Sequence, residues 1–243
     1  LGNYVAAAAA LVQGRHHREA AVLYRDHLKR PLEAAQCLEK GGLLVEAVAI
    51  YESLGQFETV GDLYARMERP DEAVAAWRRA AEKHRDTGEL LTACRLLETK
   101  IAAPDEALAL LATAWPWSDQ AGPALRERFG LLGRLARHED ARRLVAELRS
   151  DATPPARSVV LVQTLSAVAG SYPEPAVRGG AADAARVAAG RRLPQANLVE
   201  TTELIQAVAR LAPEDRLLHR DGNRFVVRRR GQLATHERPP AAG

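Results

Sequence analysis

A small residue followed four positions later by a large one recurs every 13 or 14 residues in the first third of the chain. The pairs are Ala20/Tyr24, Ala34/Leu38, Ala47/Tyr51, Val60/Tyr64 and Ala73/Trp77. Residues four apart share one face of an α-helix, and Gly or Pro separates successive pairs, so each interval holds one short helix and its connection. Because a helix of about ten residues is marginal alone in water, these helices must bury their faces against one another.

A second period of 34 residues relates three predicted helix starts, each of which carries an acidic pair. Negative charge is favourable at the N-terminal end of a helix because of the helix dipole. The starts are Arg69-Pro70-Asp71-Glu72-Ala73, Ala103-Pro104-Asp105-Glu106-Ala107 and Arg137-His138-Glu139-Asp140-Ala141.

The best copy of this longer repeat is Phe57-x2-Val60-Gly61-x2-Tyr64 followed by Ala73-x3-Trp77-x2-Ala80. It resembles the tetratricopeptide repeat, whose period is 34 residues. The resemblance covers residues 16–150 and implies an all-α fold, an α-solenoid of short antiparallel helix pairs. The shorter intervals upstream resemble the helical hairpins of transport-coat solenoids, and an irregular helical bundle is the alternative fold.

The composition changes after residue 150, where Asp151-Ala152-Thr153-Pro154-Pro155 interrupts the helical pattern. Gly179-Gly180 indicates a helix kink or a close helix contact. Asp221-Gly222 lies between two β-prone runs, which predicts a small β-hairpin. The predicted regions are tetratricopeptide-like repeats at 1–150, a helical extension at 154–212, the hairpin at 213–230 and a tail or linker at 231–243.

The C-terminal third carries another resemblance, in Tyr172-Pro173, Ala181-Ala182-Asp183, Gly190-Arg191-Arg192-Leu193 and Pro213-Glu214-Asp215-Arg216. These segments resemble helical regions of large bacterial proteins that contain a β-propeller. Such proteins act with a MoxR-type AAA+ ATPase and a von Willebrand A protein. The resemblance implies a bacterial multidomain protein with an AAA+ ATPase system among its partners.

Charge and cysteine content indicate the compartment and the class of partner. The 34 basic and 31 acidic residues give a net charge of +3, so overall charge does not favour nucleic acid. Cys37 and Cys94 lie in apolar helical segments, which predicts buried thiols and a reducing, cytoplasmic location. The apolar runs are too short for a membrane span, and we expect no signal peptide and a piece of a longer chain.

No motif indicates catalysis. The seven histidines have no metal-ligand spacing, and the phosphate-binding, dinucleotide-binding and serine-nucleophile glycine motifs are missing from the sequence. We therefore predict no catalytic residue, metal or cofactor, and an enzyme of a new helical type is the third alternative.

The predicted function is a non-catalytic scaffold or adaptor that binds a peptide or partner domain in a groove, as stacked repeats do. By resemblance, the first helix of each pair lines this groove, although these polar residues could equally face only water. The candidate residues are Gln36, Lys40, Glu58, Asp62, Arg66, Thr92 and Thr99.

Two further features each have two interpretations. Trp115-Pro116-Trp117 is a loop folded over the core of the last repeat, or an aromatic pair that binds a ligand. The arginines of 216–230 protect the exposed edge of the hairpin, or they contact nucleic acid. We favour the first interpretation of each, and a regulatory module that contacts nucleic acid is the alternative function.

Overall fold

The computed structural model describes residues 2–150, 153–214 and 216–236, and these form fourteen α-helices and no strand. The all-α fold class is therefore confirmed. The chain divides into two compact units, Leu1–Ala107 and Leu108–Gly243. Within the described ranges, no helix combines the length and the hydropathy of a membrane span.

The helices of the first unit are short, and a π-helical segment, Leu23–His27, follows the second of them. They are α1 Gly2–Gln13, α2 His17–Val22, α3 Pro31–Lys40, α4 Leu44–Ser53, α5 Phe57–Arg66, α6 Pro70–Asp86 and α7 Leu90–Thr99. The boundary between the units falls inside α8, Pro104–Ala114. The second unit contains α9 Ala121–Arg134, α10 His138–Ser150, α11 Ser158–Ser171, α12 Pro175–Arg192, α13 Leu198–Ala209 and α14 Arg216–His236.

The fourth residue of each helix from α2 to α10 is small and completely buried. These residues are Ala20, Ala34, Ala47, Val60, Ala73, Ala93, Ala107, Ala124 and Ala141. A small side chain at a buried position lets neighbouring helices approach closely. The register predicted from the 13-residue recurrence is confirmed at all five of its small residues.

Eight connections between helices share one backbone conformation, in which the residue two positions before the next helix has a positive φ. These residues are Arg15, Lys29, Gly42, Gly55, Glu68, Gly88, Ala102 and Ala136. The backbone N–H of the residue after it donates to a carbonyl near the end of the preceding helix. For example, the Gln56 N–H donates to the Tyr51 carbonyl at 2.9 Å. This left-handed cap satisfies carbonyls at the helix end and turns the chain within three or four residues.

Ion pairs join alternate helices of the first unit. They are Arg18–Glu46 between α2 and α4, Glu39–Arg66 between α3 and α5, Glu52–Arg79 between α4 and α6, and Arg78–Glu106 between α6 and α8. The partners are 27 or 28 residues apart in every case. This separation corresponds to two short helices with their connections, so long side chains bridge one helix and the next but one.

Consecutive helices also contact each other throughout α1 to α7. The contact between α5 and α6 depends on Gly61, because a Cβ at this position would overlap the indole ring of Trp77. Trp77 therefore lies directly against the backbone of α5, and Ala73 is fully buried one turn earlier on α6.

The second unit is organised around α11, which contacts α9, α12 and α13. Leu161, Val162 and Leu165 of α11 are almost completely buried. A helix with apolar residues on several faces is expected at the centre of a helical unit. α12 runs without interruption through Gly179-Gly180, and a Cβ at Gly180 would make only an ordinary contact, 3.5 Å from Val145 Cγ1.

The predicted hairpin at 213–230 is wrong, because residues 216–236 form α14. Asp221-Gly222 lies inside this helix rather than in a turn. A Cβ at Gly222 would lie 2.7 Å from Ile205 Cγ2, so the glycine allows α14 to pack closely on α13. Tertiary packing thus overrides the local β-propensity of this segment.

The predicted tail at 231–243 is also helical as far as residue 236, and 237–243 lie outside the described residues. The predicted boundaries near residues 150 and 212 stay predictions.

We expect Gly61→Ala to destabilise the protein, although alanine is normally the better helix former. The new methyl group must displace Trp77, which costs roughly 1–3 kcal/mol of unfolding free energy. Gly179→Ala is the matched control, because nothing lies within 4 Å of its added Cβ. The unfolding free energy of this control should rise by up to about 1 kcal/mol. Urea denaturation of both variants measures the difference, and stabilisation by Gly61→Ala would contradict the contact.

We expect Ala73→Leu to overpack the first unit and to lower the unfolding free energy by roughly 1–3 kcal/mol. Ala75→Leu on the same helix is the control, because Ala75 is exposed and should tolerate leucine. The midpoint of chemical denaturation reports both changes. Equal midpoints for the two variants would show that the helical register is wrong.

Candidate functional site

The seven predicted groove residues lie on three alternate helices. Gln36 and Lys40 are exposed on α3. On α5, Glu58 and Arg66 are exposed and Asp62 is half-buried. On α7, Thr92 is half-buried, whereas Thr99 is exposed and donates its hydroxyl hydrogen to the Arg95 carbonyl at 2.8 Å. These residues differ in exposure and in hydrogen-bond partners, so they do not form a uniform row of exposed polar side chains.

Gln36 and Lys40 line a pocket of about 350 Å³, which we call the α3 pocket. Its lining residues are Ala9, Val12, Gln13, Tyr24, Glu33, Gln36, Cys37 and Lys40. The lining residues on α3 share one face of that helix because they are three or four positions apart. The pocket is open enough to admit a side chain or a short peptide segment, and it combines apolar walls with amide and charged groups.

The α3 pocket presents complementary recognition groups. Gln13 and Gln36 supply amides, each of which offers donors and an acceptor, as a peptide backbone requires. Lys40 and Glu33 supply opposite charges about two turns apart on the same helix. This arrangement suits a polar ligand that carries both hydrogen-bonding groups and charge.

Asp62 connects three parts of the first unit. Its carboxylate accepts a hydrogen bond from Trp77 Nε1 at 3.0 Å and another from Lys100 Nζ at 2.7 Å. The Lys100 ammonium lies 5.5 Å from the centre of the Trp77 ring, within cation–π range. Asp62 therefore links α5 to α6 and to the residue that follows α7.

Arg66 belongs to a second polar network, centred on Glu39. Arg66 Nη1 donates to Glu39 Oε1 at 2.6 Å, and the Tyr51 hydroxyl donates to Glu39 Oε2 at 3.1 Å. Burial of Tyr51, together with the neighbouring Glu39 carboxylate, raises the pKa of Tyr51 to about 12. The network joins α3, α4 and α5, so Arg66 has an intramolecular role.

The two cysteines are buried and form no disulfide, as predicted. Cys37 Sγ donates to the His17 carbonyl at 3.4 Å and lies 3.7 Å from His17 Nδ1. Burial raises the pKa of the Cys37 thiol, which opposes formation of the reactive thiolate. In the part of the chain that the structure describes, no group of three or more His, Cys, Asp or Glu side chains could hold a metal ion.

The loop between α8 and α9 does not cover the core with both indoles. Trp115 is half-buried, but 79% of Trp117 is exposed, so the prediction of a folded-over loop is wrong for Trp117. Arg157 fixes this loop by donating to the Ser118 carbonyl at 2.9 Å, and its guanidinium lies 3.8 Å from Asp119.

A pocket of about 400 Å³ between α9 and α11 was not predicted. Its floor includes Phe129, Val168 and Tyr172, and the ring centres of Phe129 and Tyr172 are 6.4 Å apart in an edge-to-face arrangement. Gly130 and Gly133 on α9 have no side chains, so they leave space on one side of the pocket. Two glycines three positions apart on one helix face are the sequence signal that could have revealed it.

No protein-family model matches this sequence, and no curated protein is similar to it. The α3 pocket is therefore described from its own geometry and chemistry.

We expect Tyr51→Phe to reduce the alkaline loss of stability. The pKa of the Tyr51 hydroxyl rises from 10.0 to about 12 on folding. The stability that this protonated hydroxyl contributes is therefore fully present below pH 10 and is lost as the pH rises from about 10 to 12. Over this pH range the unfolding free energy of the Tyr51→Phe variant should fall by roughly 2 kcal/mol less than that of the parent protein. Urea denaturation at a series of pH values measures it.

Tyr4→Phe is the control for this experiment, because Tyr4 is 44% exposed on α1. Its alkaline slope should equal that of the parent protein. If Tyr51→Phe also retained the parent slope, the buried network of Tyr51 and Glu39 would be contradicted.

Proposed function

We propose that the first unit is a solenoid-like stack of short helix pairs that acts as a non-catalytic scaffold and binds a peptide segment in the α3 pocket. The constant separation of the ion pairs between alternate helices supports the stack. In such a stack each helix contacts its neighbours, and the polar face of one row of helices is presented to partners.

One observation carries the choice of site. Gln36 and Lys40 line an open pocket, whereas Asp62 and Arg66 are held by Trp77, Lys100 and Glu39. Moving Asp62 or Arg66 onto a ligand would break contacts that join helices. Residues of the α3 pocket can meet a ligand without that loss, so the binding site that we propose is confined to α3 and its neighbours α1 and Tyr24.

The proposed ligand is an extended peptide with an acidic side chain. Lys40 would donate to the carboxylate, and Gln13 and Gln36 would pair with the peptide backbone. A charge-assisted hydrogen bond contributes roughly 1.5–3 kcal/mol when it is sheltered from water. The tetratricopeptide-like resemblance favours the same class of ligand, and the second resemblance names an AAA+ ATPase system as the source of such a segment.

Selection from a displayed peptide library against the purified protein tests this proposal. We expect the selected peptides to contain Asp or Glu and to bind Gln36→Ala/Lys40→Ala at least about tenfold more weakly than the parent, from the loss of one charged and one neutral hydrogen bond. Isothermal calorimetry measures the affinities.

Arg69→Ala/Glu72→Ala is the matched control, because it removes an ion pair at the N-terminal end of α6, outside the α3 pocket. This variant should bind the peptides with the parent affinity. Equal affinity of the Gln36→Ala/Lys40→Ala protein and the parent would place the binding surface elsewhere.

A further inference from the structure

The excess positive charge of the chain is concentrated on α14. Six arginines between residues 216 and 230, opposed by Asp221, give this segment a charge of +5. Because the whole chain carries +3, the other residues together carry −2. A single helix is therefore strongly basic on a chain that is otherwise slightly acidic.

Four of these arginines face away from the second unit. Gly222 is buried against Ile205 of α13, which defines the inner face of α14. At about 100° per residue, Arg220 and Arg224 point roughly 160° from Gly222, and Arg216 and Arg228 roughly 120° from it. All four side chains are exposed. With one arginine per turn, the row extends about 18 Å along the helix.

The helical structure removes the explanation that the sequence suggested for these arginines. Charged residues protect exposed strand edges from pairing, but residues 216–236 contain no strand edge. Asp221 lies 3.2 Å from Arg220 and 3.9 Å from Arg224, and it is the single acidic residue on α14. Internal pairing therefore leaves most of the positive charge uncompensated.

We propose that α14 binds duplex DNA by placing this arginine row against the phosphates that border the major groove. The groove is about 12 Å wide and admits an α-helix. A guanidinium forms two parallel hydrogen bonds to a phosphate, and all the basic residues between 216 and 230 other than His219 are arginines. The net charge of the other residues is −2, so the net positive charge that attracts a polyanion lies on α14.

The packing of α14 favours a duplex over a lipid surface. A helix that lies in a membrane interface buries a broad apolar face among the acyl chains. On α14 the face that contains Gly222 is already covered by α13, and the opposite face carries Arg220 and Arg224. Phe225 and Val227 are also exposed on α14, but two apolar side chains do not form a broad apolar face. The main feature that this helix offers to a partner is thus a row of guanidinium groups, which matches regularly spaced phosphates.

Fluorescence anisotropy with a labelled DNA duplex of mixed sequence tests the proposal. Four phosphate contacts predict a log–log salt slope near −3.6, or about a hundredfold loss of affinity between about 50 and 200 mM salt. Arg220→Gln/Arg224→Gln should reduce the slope to about −1.8 and the loss to roughly tenfold. Glutamine keeps the helix propensity, and circular dichroism checks that the variant is folded.

Arg142→Gln/Arg143→Gln is the charge-matched control, because both arginines are exposed on α10 and pair with Glu139 of the same helix. It should keep the parent slope and affinity. The proposal is overturned if the parent does not bind the duplex, if Arg220→Gln/Arg224→Gln binds it as the parent does, or if vesicles of anionic lipid compete as well as unlabelled duplex at equal negative charge.

Discussion

The close contact made by the fourth residue of each short helix is the interaction on which the first unit depends. Helices of about ten residues are marginal in water, so their stability must come from packing. Ala34, Ala47 and Ala73 are completely buried, and a larger side chain at such a position would force neighbouring helices apart. The bare backbone at Gly61 extends the same principle, since it accommodates the indole ring of Trp77. Small residues at fixed positions thus set the distances between these helices.

Polar contacts also bridge helices that are not consecutive in the chain. The ion pairs between alternate helices are half-exposed, and such pairs contribute little to stability. Their sequence separation is nevertheless 27 or 28 residues in every case. Asp62 and Glu39 each join several elements, through Trp77 and Lys100 in one case and through Tyr51 and Arg66 in the other. These networks occupy side chains that would otherwise be free to bind a ligand.

The two surfaces that we propose for partners differ in chemistry. The α3 pocket combines Glu33, Lys40 and two glutamines, so its selectivity would come from hydrogen-bond geometry and one charged contact, with a weaker dependence on salt than a row of charges would have. The outer face of α14 carries a row of arginines and would bind through counterion release, which depends strongly on salt. They lie on different compact units, and we propose a different class of partner for each.

The helical class, the register of the first unit and the burial of both cysteines follow from the amino-acid sequence alone. These features depend on local spacing, because residues four apart share a face and Gly or Pro ends a helix wherever it occurs. The pattern also placed Gln36 and Lys40 on one exposed face of α3. It could not show that Asp62 and Arg66 are engaged by Trp77, Lys100 and Glu39, since those contacts join residues 15 to 38 positions apart.

The conformation of residues 216–236 and the exposure of Trp117 depend instead on tertiary contacts. Asp221-Gly222 is a good turn signal locally, but the contact of Gly222 with Ile205 is available to a helix packed on α13 and not to a hairpin turn. Trp117 is apolar enough to be buried, yet Arg157 holds its loop in a position where the indole meets solvent. In both cases a partner distant in sequence changes the preference of a short segment, because packing free energies exceed the small differences in local propensity.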